Sequence, residues 1–380
     1  METRVTAPTA TSPLRVLFIL SALRKNGAVL STLTTIAHLD RRRFQPQLFV
    51  VERGEAWGDV LRGVEVLYGA SSGGALRKAS QLPPTLYRLA RRSDVIVGGL
   101  EMAPTFLAVL AAQLTGKPSV GFVRNSLPEV LAALPPRYAA LSKLFYPRLT
   151  RAVAISEGIR ESVQKLYPAL AGRTETVYIP LDLARAERYA AAPPPEGAPE
   201  RPYLVAVGRL EPQKGFDILL RAYARLRAAG VTHPLVIVGE GREAARLREL
   251  AASLGVEDGV RFPGFQENPY AWIRGAEVFV SSSRFEGFCR VIAEAMAVGT
   301  PVVATDCPSG PAEVLEGGRA GVLVRSEDPE ALAKGIAGLL SDPEARARFR
   351  ERGRERVRAF SPERVVARFG EVLEGVAGRG

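Results

Sequence analysis

The sequence predicts an α/β protein built from two doubly wound, Rossmann-like domains. Short runs rich in Val and Ile, such as "RVLFILS" at 15–21 and "PLVIVGE" at 234–240, are bounded by turn residues and predict buried strands. Segments with helical periodicity separate these runs, which indicates parallel sheets covered by helices on both faces. The pattern stops at "AAAPPPEGAPERP", residues 190–202, and then restarts. A chain of 380 residues also exceeds the usual length of one domain.

The first predicted domain covers residues 1–189. Its predicted strands are "RVLFILS", "QLFVVE", "VEVLYG", "DVIVGGL", "SVGFVRN", "RAVAIS" and "TVYIP". Its predicted helices are "GAVLSTLTTIAHL", "LPPTLYRLARR", "MAPTFLAVLAAQL", "RYAALSKLFYPRL" and "EGIRESVQKLY". Each strand is short and ends at breakers, whereas each helical segment repeats its apolar residues at three- to four-residue spacing.

The second predicted domain covers residues 203–360 and follows the linker at 190–202. Its strands are "YLVAVGR", "PLVIVGE", "VRFPGF", "EVFVSSS", "PVVATD" and "GVLV", separated by the helices "FDILLRAYARLRAAG", "EAARLRELAASLG", "AWIRGA" and "FCRVIAEAMAVG". Residues 361–380 predict an amphipathic helix, with Ser361 as N-cap, that packs back toward the first domain. Doubly wound sheets bind ligands beyond the carboxyl ends of their strands, so we expect the two domains to face a central cleft that holds the site.

The composition excludes several classes of protein. At 47% hydrophobic and 24% charged residues, the chain does not resemble a disordered protein. Two cysteines and two histidines are too few for a disulfide framework or a structural zinc cluster. Residues 1–14 lack the apolar core of a signal peptide, and no apolar run approaches the roughly 20 residues needed to cross a bilayer. We therefore expect a cytoplasmic protein, soluble or peripheral on the inner membrane face.

The net positive charge of the chain comes entirely from its first half. Up to Arg185 the chain has 24 Lys and Arg against 13 Asp and Glu, and the remainder has 27 of each. The basic clusters at 41–43, 77–78 and 91–92 predict attraction to an anionic partner, such as a phosphorylated acceptor, an acidic lipid surface or nucleic acid. The alternative is an ordinary solvated basic surface.

The turn "VAVGRLEPQKGFD" is the strongest chemical motif of the second domain. A buried strand ends at Gly208, Arg209 leaves its carboxyl end, and Lys214 precedes Gly215 and an amphipathic helix. Two cations at a strand-to-helix switch, beside backbone N–H groups that glycine leaves accessible, suit a diphosphate. The turn is not a P-loop, because the Gly-rich run and the following Ser or Thr are missing. A purely structural turn with surface cations remains the alternative.

Two glutamates flank the predicted helix in "RFEGFCRVIAEAMAVG". Glu286 lies in the polar run before the helix and Glu294 lies eight positions further on. A continuous helix would separate them by about 12 Å of rise and turn them by about 80°. The pair is then too far apart to share a proton but suitably spaced to bracket an elongated ligand. The alternative is that Glu286 complements the helix dipole and Glu294 is merely solvated.

These segments together resemble the nucleotide-binding half of the retaining glycosyltransferases of family 4, the glycosyl transferases group 1, which have the two-domain GT-B architecture. The resemblance rests on "VGRLEPQKGFD", "VIVGEG", "VRFPGF", "SSSRFEGFCRVIAEAMAVGTPVVATDCPSGPAEVL" and "GGRAGVLV", in that order. The spacing of Glu286 and Glu294 matches the family's paired glutamates. The first half resembles the family only in outline, through "LSALRKNGAVLSTLTTIAHLDRRRFQPQLFVV" and "AISEGIRESV".

The resemblance implies a role for each of these side chains. Glu294 would hydrogen-bond the ribose of a nucleotide, Arg209 and Lys214 would hold its diphosphate, and Glu286 would contact the transferred sugar. Glu286, Arg209 and Lys214 are accordingly the predicted catalytic residues. The backbone N–H groups at the start of the helix would stabilise the leaving phosphate. The full predicted donor site is Gly27, Gly208, Arg209, Lys214, Gly239, Phe265, Glu286, Gly287, Phe288, Cys289 and Glu294.

The first half departs from the family pattern at two places. Only Gly27 of "NGA" stands where the family usually has a pair of glycines near the diphosphate, so that contact is weakened or shifted. Arg124 and Asn125 occupy a loop where many members carry a histidine, and a cation there would suit an anionic acceptor. No Asp-x-Asp triplet occurs, so no metal site and no cofactor are expected.

The predicted reaction is transfer of a hexose from a nucleoside-diphosphate sugar, of UDP or GDP type, to a hydroxyl of a glycan or lipid-linked acceptor, with retention at the anomeric carbon. One alternative is a nucleotide-sugar epimerase or a phosphorylase on the same scaffold, although their acid/base groups or pyridoxal-phosphate lysine are not evident. Another is a non-catalytic basic protein that binds membrane or nucleic acid. No nucleic-acid partner is expected, because aromatic residues are not interleaved with the basic ones.

Overall fold

A computed structural model gives the fold of residues 12–24, 26–52, 54, 61, 63–69, 75–193, 195–200 and 202–379, with the backbone alone over 75–83. The side chains of the predicted basic pair at 77–78 lie outside the described residues. The described residues form two sheets, of seven and six strands. Every strand pairing resolved in residue-by-residue register is parallel.

The seven-stranded sheet has the order β3-β2-β1-β4-β5-β6-β7. Its strands are β1 Leu14–Ala22, β2 Phe44–Glu52, β3 Glu65–Tyr68, β4 Val95–Gly98, β5 Ser119–Val123, β6 Arg151–Ala154 and β7 Thr174–Thr176. Its helices are α1 Gly27–His38, α2 Ala75–Arg92, α3 Ala103–Thr115, α4 Leu127–Ala132, α5 Pro136–Phe145, α6 Glu157–Leu166 and α7 Leu183–Ala190. The central strand β1 is an almost unbroken apolar run, as expected for a strand covered on both faces.

The six-stranded sheet has the order β10-β9-β8-β11-β12-β13. Its strands are β8 Leu204–Val207, β9 Leu235–Val238, β10 Val260–Gly264, β11 Val278–Ser281, β12 Val302–Asp306 and β13 Val322–Arg325. Its helices are α8 Phe216–Ala228, α9 Ala244–Ser253, α10 Pro269–Gly275, α11 Arg290–Ala297, α12 Pro311–Val314, α13 Pro329–Ser341 and α14 Pro343–Arg356, followed by α15 Pro362–Val376. The strand order reverses direction between β8 and β11, which makes the end of these two strands a topological switch point.

The predicted α/β class and both doubly wound sheets are confirmed, with three local differences. The strand expected over "TVYIP" is found at Thr174–Thr176, so most of that apolar run follows the strand instead of forming it. Five helices were not predicted, namely α4, α7, α12, α13 and α14. Helices α4, α7 and α12 are short and the surrounding prolines obscure their periodicity, whereas α13 and α14 lie in the charged stretch 329–356. Helix α11 begins at Arg290, two residues later than expected, because Cys289 has a positive φ that ends the helix there.

The chain forms two compact units whose limits differ from the predicted domains. The first unit comprises 1–122, 136–152 and 366–380, and the second comprises 123–135 and 153–365. Residues 123–135 and 153–189 thus group with the second unit, although the predicted boundary lay at 190–202. Contacts made inside that unit explain the grouping: Ser156 Oγ donates to the Gly287 carbonyl over 2.6 Å, and the Glu157 amide donates to the Glu313 carboxylate.

The end of helix α15 belongs to the first unit. Phe369 is fully buried, and its ring lies 5.0 Å from that of Phe122 and 6.2 Å from that of Phe18. Gly370 leaves so little room that an added Cβ would lie 3.2 Å from the ring of Phe44. Apolar packing against the first sheet therefore holds this part of the helix in place.

Candidate functional site

The predicted donor residues of the second half lie just beyond the carboxyl ends of four neighbouring strands. Gly208, Arg209 and Lys214 follow β8, Gly239 follows β9, Phe265 follows β10, and residues 286–289 follow β11. Because all of these strands are parallel, their carboxyl ends share one edge of the sheet. The predicted residues therefore gather at the switch point between β8 and β11, where a doubly wound sheet binds its ligand.

Two glycines let the ends of β8 and β9 approach each other. The Gly208 amide donates to the Val238 carbonyl over 3.0 Å, and Gly239 has φ +141°. A Cβ at Gly239 would lie 1.9 Å from the Gly208 carbonyl oxygen, so no other residue fits without moving the backbone. The aliphatic part of Lys214 passes over Gly208, where an added Cβ would lie 3.2 Å from Lys214 Cε. The glycines thus bring two strand ends and one lysine together.

Lys214 and Glu286 form a nearly buried ion pair that the sequence did not predict. Lys214 Nζ lies 2.5 Å from Glu286 Oε1, and the two side chains are 16% and 8% exposed. Ser283 Oγ donates to the same carboxylate oxygen over 2.7 Å. Burial alone lowers the pKa of Lys214, but the negative charge of Glu286 and its hydrogen bond outweigh that effect, so the pKa is raised above its usual value. Lys214 is therefore held as a cation.

The loop that carries Glu286 is fastened to the turn after β8. Ser282 Oγ donates to the Lys214 carbonyl over 2.9 Å, and Gln213 Nε2 donates to the Phe285 carbonyl over 2.9 Å. Arg284 forms a two-pronged pair with Asp217 at 2.8 and 2.9 Å. Since Asp217 lies in the first turn of α8, the two loops and that helix form one supported unit.

Helix α11 starts later than the sequence predicts, which changes the geometry around Glu286. Cys289 has φ +62°, a conformation that stops the helix from extending backwards, so the first helical residue is Arg290. The calculated rise of about 12 Å between the glutamates assumed a continuous helix and does not apply. Cys289 is the N-cap of α11, so the free amide groups of the first helical turn begin at Arg290. The use of the Gly287, Phe288 and Cys289 amides toward the leaving phosphate stays a prediction.

Glu294 is buried and paired, so the alternative in which it is merely solvated is wrong. It is 7% exposed, Arg290 Nε donates to its Oε1 over 2.7 Å, and Tyr270 Oη donates to the same oxygen over 3.0 Å. Burial raises the pKa of Tyr270, and the Glu294 charge adds to that rise, so the phenol stays a donor. The spacing of Arg290 and Glu294, four residues apart on a helix, is a signal that sequence analysis could have used.

Glu286 and Glu294 have the same pattern of hydrogen bonds. In each, Oε1 accepts from one cation and one hydroxyl: Lys214 and Ser283 for Glu286, Arg290 and Tyr270 for Glu294. Among the residues that the structure describes, no hydrogen bond reaches Oε2 of either side chain. One oxygen of each carboxylate is therefore fixed by the protein, and the other retains its capacity to accept from a ligand.

Residues 287–289 are packed too closely to move freely. A Cβ at Gly287 would lie 1.9 Å from the Arg124 carbonyl oxygen, and the Gly287 carbonyl accepts from Ser156. The Phe288 ring meets the Phe360 ring edge-on at 4.9 Å and lies 5.8 Å from the Tyr178 ring. Sequence analysis missed Ser156 and Tyr178 because both are distant in the chain and carry no local motif.

A partly buried carboxylate, that of Glu313, supports this packing. Glu313 accepts the Glu157 amide at 2.9 and 3.0 Å, which ties the start of α6 to the α12 segment. Burial raises the pKa of Glu313, and burial together with Glu313 raises the pKa of Tyr178 to about 12. Arg356 donates to the Glu313 carbonyl over 3.0 Å and lies 4.7 Å from the Phe360 ring centroid.

The remaining predicted residues occupy varied surroundings. Arg209 is exposed, and within the described part of the chain no carboxylate pairs with it. The Phe265 side chain is 55% exposed and thus available for stacking. Gly27 is the first residue of α1, whose N-cap Asn26 accepts the Val29 amide over 2.9 Å. Arg124 is only 4% exposed and is engaged within the chain, while Asn125 is partly exposed. The assignments of these residues to donor and acceptor remain predictions.

Both cysteine side chains are buried, and burial raises the pKa of each thiol. Cys289 and Cys307 are 3% and 4% exposed. Burial raises the pKa of the Cys307 thiol to about 12 and that of Cys289 well above its ordinary value. Over the described residues, no group of three or more His, Cys, Asp or Glu side chains is placed to hold a metal ion. No helix in that part of the chain is long and apolar enough to cross a membrane.

Two family models match successive parts of the chain. The model described as Glycosyltransferase Family 4 matches residues 25–185, and the model described as Glycosyl transferases group 1 matches residues 191–356. The first match ends inside helix α7, and the second begins at residue 191, within the predicted linker. Together they indicate a glycosyltransferase and not an epimerase, a phosphorylase or a non-catalytic basic protein.

Curated relatives and a solved structure agree with these matches. The chain is 28% identical, over 69% of its length and 72% of the relative, to N-acetylgalactosamine-N,N'-diacetylbacillosaminyl-diphospho-undecaprenol 4-alpha-N-acetylgalactosaminyltransferase of Campylobacter jejuni. It is 36% identical to D-inositol 3-phosphate glycosyltransferase 2 of Catenulispora acidiphila, a match that spans 58% of the chain and about half, 55%, of that relative. The structure of Anabaena Alr3699/HepE in complex with UDP and glucose superposes with a TM-score of 0.78 at 20% identity, over 95% of this chain and 100% of that one. The predicted GT-B fold class is confirmed.

Proposed function

This chain belongs to the glycosyltransferases of family 4, and we propose that it transfers a hexose from a nucleoside-diphosphate sugar to a hydroxyl of a glycan or lipid-linked acceptor, with retention at the anomeric carbon. The observation that carries the proposal is the shared arrangement of Glu286 and Glu294. Each presents one fixed and one available carboxylate oxygen, which suits a ligand with hydroxyl groups at both ends. A nucleotide sugar, with its ribose and its hexose, is such a ligand.

Glu294 and Glu286 then bind opposite ends of the donor. Glu294 accepts from the ribose hydroxyls, and Arg290 and Tyr270 keep its carboxylate oriented for that purpose. Glu286 accepts from the hydroxyls of the transferred sugar, and its ion pair with Lys214 fixes the angle at which it does so. Phe265, exposed after β10, offers an apolar face to the nucleobase, of UDP or GDP type.

The chemical difficulty of the reaction is the departure of a nucleoside diphosphate. Arg209, which has no carboxylate partner among the described residues, supplies a positive charge to that leaving group. Lys214 contributes a second charge while also holding Glu286, and the first turn of α11 presents amide groups to an anion. Such preorganised electrostatic stabilisation is commonly the largest contribution to a rate enhancement of this kind.

We propose retention without a protein nucleophile, which two features of the site support. The Cys289 thiol is buried and protonated, and Glu286 is held by Lys214 and Ser283 as an acceptor for sugar hydroxyls. The acceptor hydroxyl then attacks on the face that the diphosphate leaves, and the departing phosphate takes its proton. We propose that the reaction needs neither a metal ion nor a cofactor.

The relatives support an acceptor that carries phosphate. One relative's name specifies a diphospho-undecaprenol-linked glycan, and another's specifies an inositol phosphate. An anionic acceptor also accounts for the positive charge of the first half, because the donor residues of the second half lie in a region without net charge. We propose on these grounds a lipid-linked phosphorylated acceptor and action at the inner membrane face, with Arg124 and Asn125 near the acceptor.

A product analysis tests the proposed reaction. The purified protein is incubated with UDP- and GDP-hexoses and a phosphorylated lipid-linked glycan in the presence of EDTA, and the new linkage is assigned by proton NMR. We expect release of the nucleoside diphosphate together with a product of the same anomeric configuration as the donor. A product of opposite configuration would contradict the retaining mechanism, and activity lost in EDTA but restored by a divalent ion would contradict metal independence.

A further inference from the structure

Helices α3 and α5 expose large apolar side chains on their outer surface. Leu110 and Leu114 of α3 are 44% and 62% exposed, and Leu141 and Leu144 of α5 are 36% and 47% exposed. Residues spaced three or four apart on a helix share a face, so each pair forms a short apolar stripe. These four leucines make up most of the large apolar side chains that the described residues expose.

The two stripes lie on helices that contact each other. The rings of Phe106 and Phe145 stack at a centroid distance of 5.1 Å and join the two helices. Leu110 lies one helical turn after Phe106, and Leu141 lies one turn before Phe145. The leucines therefore extend outwards from a single aromatic contact. We call the surface formed by these four leucines the leucine face.

The segments that carry the leucine face contain exposed cations and almost no acidic residues. Between Glu101 and Glu157 the sequence contains one acidic residue, Glu129, and helices α3 and α5 contain none. Arg137, Lys143 and Arg148 are exposed. Within the described part of the chain, none of these three cations forms an ion pair. Their charges are thus available to an anionic partner.

The basic cluster at 41–43, which the sequence suggested as an anionic docking point, is different. Arg42 pairs with Asp40 at 3.0 Å, and Arg43 pairs with Glu374 at 2.5 Å. Two of its three charges are therefore compensated inside the protein, and no exposed large apolar side chain accompanies them. The combination of apolar and unpaired basic side chains occurs at α3 and α5 instead.

We propose that the leucine face, with Arg137, Lys143 and Arg148, docks the protein on an acidic lipid bilayer. The leucines enter the boundary between head groups and acyl chains, while the three cations stay at the level of the lipid phosphates. A second copy of the chain fits less well, because self-association would bring the same cations together without any carboxylate to offset them. The proposal rests on the proposed function only in that a lipid-linked acceptor gives the enzyme a reason to be at the membrane.

Vesicle sedimentation tests the surface. Binding of the full chain is measured on phosphatidylcholine vesicles with and without phosphatidylglycerol, at low and high salt. One variant replaces Arg137, Lys143 and Arg148 by Gln, and a second replaces the four leucines by Ser. A control variant replaces Arg42, Arg352 and Arg368 by Gln, which removes the same net charge from exposed arginines that pair with carboxylates elsewhere.

We expect binding that requires phosphatidylglycerol and weakens as salt rises. Each cation near the surface contributes about fivefold, so the triple Gln variant should bind on the order of a hundredfold more weakly, whereas the control should stay within about threefold of the native chain. The leucine variant should lose binding at low salt as well, because its loss is not electrostatic.

Several results would contradict the proposal that the leucine face docks on a bilayer. These are equal binding to neutral and acidic vesicles, undiminished binding by either α3–α5 variant, or equal losses in the control variant. A dimer that the leucine variant dissociates without any change in vesicle binding would assign the face to a second copy. Titration of the same variants with nucleoside diphosphates separates this proposal from the proposed function. All variants should bind nucleotide as tightly as the native chain does. A native chain that binds vesicles but no nucleotide would contradict the proposed function without contradicting the docking surface.

Discussion

Lys214 Nζ lies 2.5 Å from Glu286 Oε1. Two residues 72 positions apart, one predicted to hold a diphosphate and the other a sugar, are thus one ion pair with 16% and 8% exposed side chains. The pair orients Glu286 while limiting the positive charge that Lys214 offers to a diphosphate. Arg209, exposed and without a carboxylate partner in the described residues, is then the less compensated cation of the two.

The first prediction follows from the burial of this pair. Removing one partner leaves an uncompensated charge, which typically costs about 3–5 kcal/mol of stability, whereas removing both costs much less. Lys214→Met should therefore destabilise the second unit strongly, and Lys214→Met combined with Glu286→Gln should recover most of the loss. Urea unfolding followed by the fluorescence of Trp272, which is 1% exposed, measures this in a Trp57→Phe background.

The exposed pair between Lys334 and Glu330 provides the control for that experiment. Their side chains are 76% and 60% exposed, so solvent screens the pair and Lys334→Met should leave stability nearly unchanged. If the effects of Lys214→Met and Glu286→Gln simply add in the double variant, the two residues do not act as a coupled pair.

The second prediction concerns the support of Glu294. Tyr270→Phe removes a hydrogen bond to a charged acceptor, worth about 1.5–3 kcal/mol, and frees the carboxylate to rotate. Nucleoside diphosphate affinity should fall about tenfold by titration calorimetry. Tyr203→Phe serves as the control, because its hydroxyl donates to the Trp272 carbonyl over 2.7 Å and does not touch Glu294. Equal affinities in the two variants would show that Tyr270 has no part in binding.

The third prediction concerns the contact between strand ends. Gly239→Ala would place a Cβ 1.9 Å from the Gly208 carbonyl oxygen at φ +141°. Strain and overpacking together should cost about 3 kcal/mol or more and should abolish nucleotide binding. Gly338→Ala, on the exposed side of α13 with open space around it, should instead stabilise the protein by about 0.5–1 kcal/mol. A well-folded Gly239→Ala protein that still binds nucleotide would contradict the role given to this close approach.

The fourth prediction is a loss of stability at alkaline pH. The folded pKa of Cys307 is raised to about 12, while an unfolded thiol ionises near 8.5. Because the pKa of the folded state exceeds that of the unfolded state, the stabilisation is fully present at pH values below the unfolded pKa. It declines as pH rises from about 8.5 toward 12, since only the unfolded thiol ionises in that range. Between pH 7 and 9.5 the free energy of unfolding should fall by about 1 kcal/mol more in the native chain than in Cys307→Ala. Identical pH dependence would mean that the thiol is not buried as described.

The sequence predicted the parts of the fold that depend on local pattern. Apolar runs such as β1 and β9 and periodic helices such as α8 appear where expected, because burial on both faces or one face leaves a direct signature in residue order. The predicted site residues after β8–β11 also fall together, since parallel strands bring their carboxyl ends to one edge.

The features that the sequence did not predict arise from contacts between distant segments. The pairing of Lys214 with Glu286 and of Tyr270 with Glu294 depends on how separate loops meet in space. The delayed start of α11 depends on a positive φ at Cys289, which a residue other than glycine rarely adopts. In the basic cluster at 41–43, Arg43 pairs with Glu374, more than 300 residues away, which no local count of charge reveals.

Titration calorimetry of the native chain and of two glutamate variants tests the central claim most directly. UDP, GDP and their hexose derivatives are titrated in EDTA into the native chain, Glu294→Gln and Glu286→Gln. The account predicts that one nucleoside diphosphate binds the native chain and that Glu294→Gln weakens this binding about tenfold. Glu286→Gln, which frees the charge of Lys214, should bind the nucleoside diphosphate at least as tightly as the native chain, while it weakens binding of the nucleotide sugar and depresses turnover. A bare nucleoside diphosphate that binds Glu286→Gln much more weakly than Glu294→Gln, or binds all three proteins equally, would contradict the placement of the donor across these two carboxylates.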